Sequence, residues 1–347
     1  MLTSTFLFSL LSQLFLTVGA APTPLDIGDL LSKAVNLPNK AVEVITAGAK
    51  GAFDDILGAT GSNVTTSVSP SDLTAAFSRP AFFSRVVYCA SAAVLAFSCG
   101  APCDALGADS VEILGTGGDG GYIPRFVIAH DKLTNSIFVA HQGTDPNSII
   151  SIANDVNFPL IPIDTKVFPS AAQKNILVHF GFLDTFLRTA PIVLSIVKYG
   201  ISSTGATTVV LTGHSLGATL ATLDALMLND ALTSVSIRTT TFGSPRIGNQ
   251  AFADFVDASF SNGSYARITN KEDPVPHVPL TLMGFVHAQG EVHLGEGGAR
   301  ACKGQENGSA GCADGVGLLA TANVDGINDH SGPYFDGISF GQDQCLA

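Results

Sequence analysis

Residues 207–228 read TTVVLTGHSLGATLATLDALML. Six β-favouring or apolar residues lead into Gly213-His214-Ser215-Leu216-Gly217, and small residues at helical spacing follow at once. The Gly-x-Ser-x-Gly pattern between a strand and a helix is that of a nucleophile elbow. Glycine is needed there for steric reasons. The turn is so tight that Cβ atoms two residues either side of the serine would strike the strand and the helix. Ser215 then projects from the C-terminal edge of a sheet, over a helix N-terminus. The unpaired N–H groups and positive partial charge of that terminus favour an oxyanion.

The flanking sequence supplies the scaffold. Tyr122–His130 and Asn135–Gln142 are β-rich runs separated by a turn, a hairpin pattern. Residues 171–199 carry helix, Thr207–Thr212 strand, Leu216–Asn229 helix, Val235–Phe242 strand, Asn249–Phe260 helix and Ser264–Thr269 strand. Strands alternating with helices of this length predict an α/β fold. Its central sheet is mostly parallel and covered by helices on both faces. Upstream, Ser71 is the expected N-cap of a helix, and Pro80–Phe97 reads as a second helix.

A serine nucleophile needs a base, and the base needs an orienting acid. In a chain of this pattern the order is Ser, then Asp or Glu, then His. Asp273 lies in Asn270-Lys271-Glu272-Asp273-Pro274, a loop just after a β run, and His330 lies in Asp329-His330-Ser331-Gly332-Pro333. These two are the candidate acid and base. His214 precedes the nucleophile and reads as structural. Glu291 and His293 would share a strand face. With no further ligand nearby they, and His287, read as part of a solvated edge strand rather than a metal site.

Composition bounds the function classes. The 347 residues are 46% hydrophobic and only 13% charged, too apolar for disorder and long enough to bury a sizeable core. A net charge of −12 without a basic stripe argues against nucleic acid as a partner, because phosphate binding rests on Lys and Arg clusters. Residues 1–20, MLTSTFLFSLLSQLFLTVGA, fit a secretory signal cleaved after Ala20, although no Lys or Arg precedes the apolar run. No second long apolar run implies a membrane anchor. Residues 21–70 read as an N-terminal extension or propeptide, and 71–347 as a single catalytic domain. Export makes the six cysteines, Cys89, Cys99, Cys103, Cys302, Cys312 and Cys345, candidates for three disulfides. Fifteen pairings are open to six cysteines, and spacing alone does not choose among them. Export also gives meaning to the glycosylation triplets at Asn63, Asn262 and Asn307.

Several ordered motifs together resemble the class 3 lipases, a fungal triacylglycerol lipase family with the α/β-hydrolase fold. They are Gly213–Gly217, Thr241-Phe242-Gly243-Ser244-Pro245-Arg246-Ile247-Gly248-Asn249, Asp273-Pro274-Val275-Pro276-His277 and Asp329-His330. Gln142-Gly143-Thr144 and Val178-His179-Phe180-Gly181-Phe182 also match. The resemblance runs from about residue 85 onward. It implies Ser215 as nucleophile, Asp273 as orienting acid and His330 as base. It implies an oxyanion hole from Thr144, through its N–H and hydroxyl, and from the N–H of Leu216. It also favours pairing Cys89 with Cys345. The chain departs from the pattern in carrying Gln142 where the family commonly has Arg, and in having no tryptophan.

The reaction so implied is hydrolysis of a carboxylic ester, most naturally a triacylglycerol, and it calls for no metal or organic cofactor. Ile149, Ile152, Ala153 and Val156 fall on one face of a short helix within 147–158. The spacing alone fits a core-packed helix equally; the family resemblance implies that this segment, beside the oxyanion loop, is a lid opening onto an oil–water interface. A feruloyl esterase, a phospholipase A1 or an inactive binding relative are the alternatives on the same scaffold.

Overall fold

A computed structural model describes residues 64–144, 159–260, 264–317 and 324–346. The expected signal, nearly all of the expected extension, the lid segment 147–158, Asn63 and Asn262 lie outside the described residues.

Eleven strands are present among these residues. Nine form one sheet and two a separate pair. In chain order the nine are β1 (Thr65–Ser67), β2 (Val111–Gly117), β3 (Phe126–Asp131), β4 (Ser136–His141), β7 (Thr208–His214), β8 (Ser236–Phe242), β9 (Tyr265–Asn270), β10 (Glu291–Gly295) and β11 (Gly298–Cys302). Their spatial order is β1-β11-β10-β9-β8-β7-β4-β3-β2. β5 (Leu160–Pro162) and β6 (Leu177–His179) pair antiparallel on their own. From β4 through β7, β8 and β9 to β10 every neighbour is parallel, whereas the hairpins at both edges are antiparallel. The expected parallel centre is therefore bordered by antiparallel edges.

Strand periodicity divides the core. Ile128, Ile137, Val139, Val209 and Leu211 face one side of the sheet, and Val127, Ala129, Phe138, Ala140 and Val210 the other. The first side is covered by helices α4 (Phe180–Leu187), α5 (Ala190–Thr204), α6 (Leu216–Ala231) and α7 (Gln250–Ser259). The second side is covered by α1 (Pro70–Val86), α2 (Ser91–Leu95), α3 (Ala101–Leu106) and the C-terminal segment around Tyr334–Phe340. Short helices α8 (Ala313–Val316) and α9 (Val324–Ser331) complete the set. Every residue of α6 from Leu216 to Leu228 is buried, which explains why its sequence is apolar on all sides rather than along one stripe.

Three expectations change. Helix α1 begins one residue after Ser69, not Ser71; the Ser69 hydroxyl accepts from the Asp72 N–H at 3.1 Å, with Pro70 in the first turn, where its missing N–H costs nothing. Pro80 does not start a second helix. It sits inside α1, because Leu73, Ala81 and Phe83 on either side of it are buried together, with Phe83 stacked on Phe138 at 4.2 Å. Burial overrides the local break that proline imposes. Thr65–Ser67, assigned by sequence to the extension, belong to the sheet through β11, a pairing of three residues too short to announce itself.

The six cysteines form Cys89–Cys345, Cys99–Cys103 and Cys302–Cys312.

Candidate active site

Strand β7 ends at His214 and α6 begins at Leu216, leaving Ser215 alone at the junction with φ 61° and ψ −128°. A side-chain-bearing residue rarely adopts this backbone, and such strain concentrates where function needs it. The surroundings enforce it. The Ser215 N–H donates to the carbonyl of Phe242 on β8 at 2.9 Å. A Cβ on Gly213 would lie 2.2 Å from the Gly217 carbonyl oxygen, and a Cβ on Gly217 would lie 2.1 Å from the His141 carbonyl oxygen. Helix and neighbouring strand thus close on the turn from two sides. Gly217→Ala is expected to cost about 1–3 kcal/mol or more by overpacking and to displace the serine. Thermal denaturation and ester hydrolysis measured on the same preparation check it; wild-type values for both would contradict the steric account.

Asp273 follows β9 and His330 lies near the end of α9, 57 residues apart in sequence yet in direct contact. His330 Nδ1 is 2.9 Å from both Asp273 oxygens, and the carboxylate also accepts the Val275 N–H at 2.8 Å. A carboxylate only accepts, so Nδ1 carries the proton and Nε2 presents its lone pair. The pair lies against the elbow. A Cβ on Gly243, the residue after Phe242, would sit 2.9 Å from His330 Nδ1, His330 Cε1 and Asp273 Oδ2. The His214 and His330 rings are 4.4 Å apart. Ser215 Oγ, His330 Nε2 and Thr144 Oγ1 are all buried, and none has a hydrogen-bond partner among the described residues. Buried polar atoms are normally paired, so three orphans in one neighbourhood mark a place built for a reacting group. Leu216, at the start of α6, supplies an N–H in the orphan first turn and packs with Phe182, Val275 and Val278.

Comparison with known proteins identifies the family. The family model for lipase (class 3) matches residues 138–283. A secreted mono- and diacylglycerol lipase, LIP4 of Malassezia restricta, is 33% identical over 241 residues, covering 68% of this chain and 76% of the relative. This chain belongs to the class 3 lipases. A second relative from the same organism, secreted mono- and diacylglycerol lipase LIP2, is 31% identical over 225 residues, covering 63% and 67%. Among solved structures, nonglycosylated LIP2 lipase of Yarrowia lipolytica superposes with a TM-score of 0.68 at 25% identity, covering 80% of this chain and 98% of that one. The Rhizomucor miehei triacylglyceride lipase shares the fold at a TM-score of 0.66 and 24% identity, covering 80% and 99%. The α/β-hydrolase fold follows, and the protein is a carboxylic ester hydrolase of the lipase type.

The candidate site is flanked by buried polar groups that the sequence did not reveal. Arg246 is 1% exposed. Its Nε and Nη2 donate to the two oxygens of Glu306 at 2.8 and 2.7 Å, and Nη2 also donates to Asp314 at 2.9 Å. Its Nη1 donates to the carbonyls of His277 and Pro279 at 2.6 and 3.2 Å. This guanidinium ties the loop after Asp273 to the segment closed by Cys302–Cys312. Burial and the adjacent Glu306 push the Asp314 carboxyl well above the usual range. Burial acts the same way on Glu306, but Arg246 overcomes it and holds that carboxyl well below the usual range. Beneath the oxyanion loop, His141 Nε2 lies 2.5 Å from Asp224 of α6, both groups fully buried. Burial raises the Asp224 pKa, and the contact with His141 opposes the rise.

Other site expectations are corrected. Glu291 and His293 are not on a solvated edge: β10 lies between β9 and β11, and both residues are 2% exposed. Glu291 accepts from Thr269 and from the Ala313 N–H at 2.9 Å each. The cysteines near it, Cys302 and Cys312, are joined as a disulfide and offer no thiolate. His287 is buried too, with Nε2 2.8 Å from the Pro276 carbonyl. Asn307 is fully buried, and its amide donates to the carbonyls of Val64 and Lys303, leaving no room for a glycan in the folded lipase.

Proposed function

We propose that this lipase is an exported acylglycerol hydrolase working through an acyl-enzyme on Ser215. His330 Nε2 takes the Ser215 proton as Oγ bonds to the ester carbonyl carbon. The carbonyl oxygen becomes an oxyanion, held by the N–H of Leu216 and by the N–H and hydroxyl of Thr144. The intermediate collapses, and the departing glycerol oxygen takes the proton from His330. Water then adds to the acyl-enzyme, giving a proton to His330. The second collapse frees the fatty acid and returns the proton to Ser215. Asp273 stays ionised and holds the imidazole in the tautomer both halves need.

The observation that carries this reading is the Asp273–His330 contact, with its free Nε2 lodged in the same neighbourhood as an equally unpartnered Ser215 hydroxyl. The substrate reading goes to partial glycerides. The relatives at 31–33% identity are named mono- and diacylglycerol lipases, while the triacylglyceride lipase matches at 24%. This reading narrows the ester hydrolysis expected from the motifs to partial glycerides, with triacylglycerol kept as the alternative substrate. An oil–water interface is the proposed working surface. Phe180 and Leu282, 41% and 58% exposed, lie close in sequence to Phe182 and Val278 beside Leu216. Among the described residues no single helix is long and apolar enough to cross a membrane. Export is supported by the three disulfides and by relatives named as secreted.

Emulsified mono-, di- and triacylglycerol, phospholipid and methyl ferulate, each assayed with wild type and Ser215→Ala, test the proposal. Diacylglycerol or monoacylglycerol is expected to be turned over fastest, and by wild type alone. Faster turnover of triacylglycerol, phospholipid or methyl ferulate overturns the substrate reading. Equal turnover by Ser215→Ala overturns the mechanism.

A further inference from the structure

The nucleophile's neighbour His214 and the buried Tyr88 take no part in the chemistry described so far, yet they join its pieces. Tyr88 ends the segment after α1, beside the Cys89–Cys345 disulfide. Its hydroxyl accepts the Gly143 N–H at 3.2 Å and lies 2.7 Å from His214 Nδ1. His214 Nε2 is 2.7 Å from the backbone carbonyl of His330. Proton placement along this chain is fixed by chemistry. A carbonyl only accepts, so His214 Nε2 carries a proton. Burial, with the charge of His330, drives the His214 pKa far down, so the ring is neutral and Nδ1 is a lone pair. Tyr88 therefore donates to Nδ1, and its oxygen is left to accept from Gly143. The run Gly143 N–H to Tyr88 O–H to His214 to the His330 carbonyl is fully paired, with every donor pointing the same way.

We infer that Tyr88 is a positioning residue for ester hydrolysis, its hydroxyl fixing the loop that presents Thr144 relative to the base His330. The loop has no slack at this point. A Cβ on Gly143 would lie 2.5 Å from the Tyr88 oxygen and 2.8 Å from Ser215 Cβ. Gln142 is pinned as well: its N–H donates to the Arg125 carbonyl at 2.8 Å, and its side-chain oxygen accepts the Arg125 N–H at 3.1 Å. Arg125 in turn donates to the Tyr88 carbonyl at 3.2 Å. The Gln142–Gly143 peptide, one residue before the Thr144 N–H, is thus held by Tyr88 on one side, and Gln142 by Arg125 on the other. On the far end, the His330 carbonyl also accepts from Tyr334 at 3.2 Å, and Phe340 stacks on His214 at 4.6 Å. Without the Tyr88 hydroxyl, the Gly143 amide and His214 Nδ1 are both buried and unpaired, and the loop is free to rotate away from the oxyanion.

The inference rests on the Ser215 mechanism, and its test separates the two. Tyr88→Phe keeps the ring and removes only the hydroxyl. With a soluble p-nitrophenyl ester, kcat is expected to fall about 10–100-fold, less than the 10²–10³ typical of losing a direct oxyanion donor, with KM unchanged. Inhibition by an alkyl trifluoromethyl ketone, which forms a tetrahedral oxyanion on the serine, is expected to weaken by the same factor. A purely structural tyrosine would lower the Tm and leave kcat and ketone inhibition at wild-type values; that result overturns the inference. Should Tyr88→Phe fail to fold, His214→Asn removes the donor to the His330 carbonyl. It is expected to lower kcat at constant KM, and wild-type kcat in that variant overturns the inference equally. Ser215→Ala in the same assay guards the underlying mechanism: activity there would sink the mechanism, whereas normal turnover by Tyr88→Phe beside a dead Ser215→Ala sinks only the positioning role.

Discussion

Ser215→Ala is expected to lower kcat by about 10⁴–10⁶-fold, and His330→Ala by a similar factor, because residues that act as one unit fail as one unit. The double variant should be no worse than either single change. What activity remains would come from the oxyanion donors and from substrate binding. Alanine retains the Cβ that the positive-φ turn already accommodates, so the fold is expected to persist, with an unchanged circular dichroism spectrum. Hydrolysis of a soluble ester measures the loss, and labelling with a fluorophosphonate reports the nucleophile directly. Labelling that survives Ser215→Ala would mean another nucleophile. Multiplicative losses in the double variant would mean that Ser215 and His330 do not share one proton transfer.

Arg246→Met is expected to be the most damaging change away from the reacting atoms. Removing one partner of a buried ion pair leaves an uncompensated charge and costs about 3–5 kcal/mol. Here the orphan is Glu306, which Arg246 holds ionised, and the carbonyls of His277 and Pro279 lose their donor in the same step. For a domain of this size the loss corresponds to a fall in Tm of roughly 10 °C. Differential scanning calorimetry reads it. Adding Glu306→Gln and Asp314→Asn to Arg246→Met removes the stranded charge and is expected to restore much of the stability, since such clusters are often replaceable as a whole. A triple variant as unstable as the single one would locate the cost in packing instead.

The elbow was legible because its constraint is local. A Cβ on Gly213 would strike the Gly217 carbonyl four residues on, so a short window carries that part of the steric argument; the clash of Gly217 with the His141 carbonyl on β4 lay outside it. The alternation of strands and helices was legible for the same reason, since period and length are properties of short segments. Asp273 and His330 were found through chain order and resemblance, not through contact, because no pattern in sequence encodes that two loops meet. The misreadings share one cause. Pro80 looked like a boundary and Glu291 and His293 looked solvated because each was judged without its neighbours: β7 and β4 beside α1, β9 and β11 beside β10. Tyr88, Arg246 with Glu306, and His141 with Asp224 stayed hidden for the same reason. Their partners lie 55, 60 and 83 residues away. One signal was available: Tyr88 precedes a cysteine whose bridge to Cys345 draws the C-terminal segment, with Tyr334 and Phe340, toward the elbow.

That bridge spans 256 positions of sequence and makes a covalent ring of most of the folded chain. A single cut by a foreign protease in any exposed segment between its two ends opens the ring without releasing a piece. Both fragments stay attached, held in register by the sheet they share. The chain between Cys89 and Cys345 must be severed at least twice before any part of its cleft can drift away.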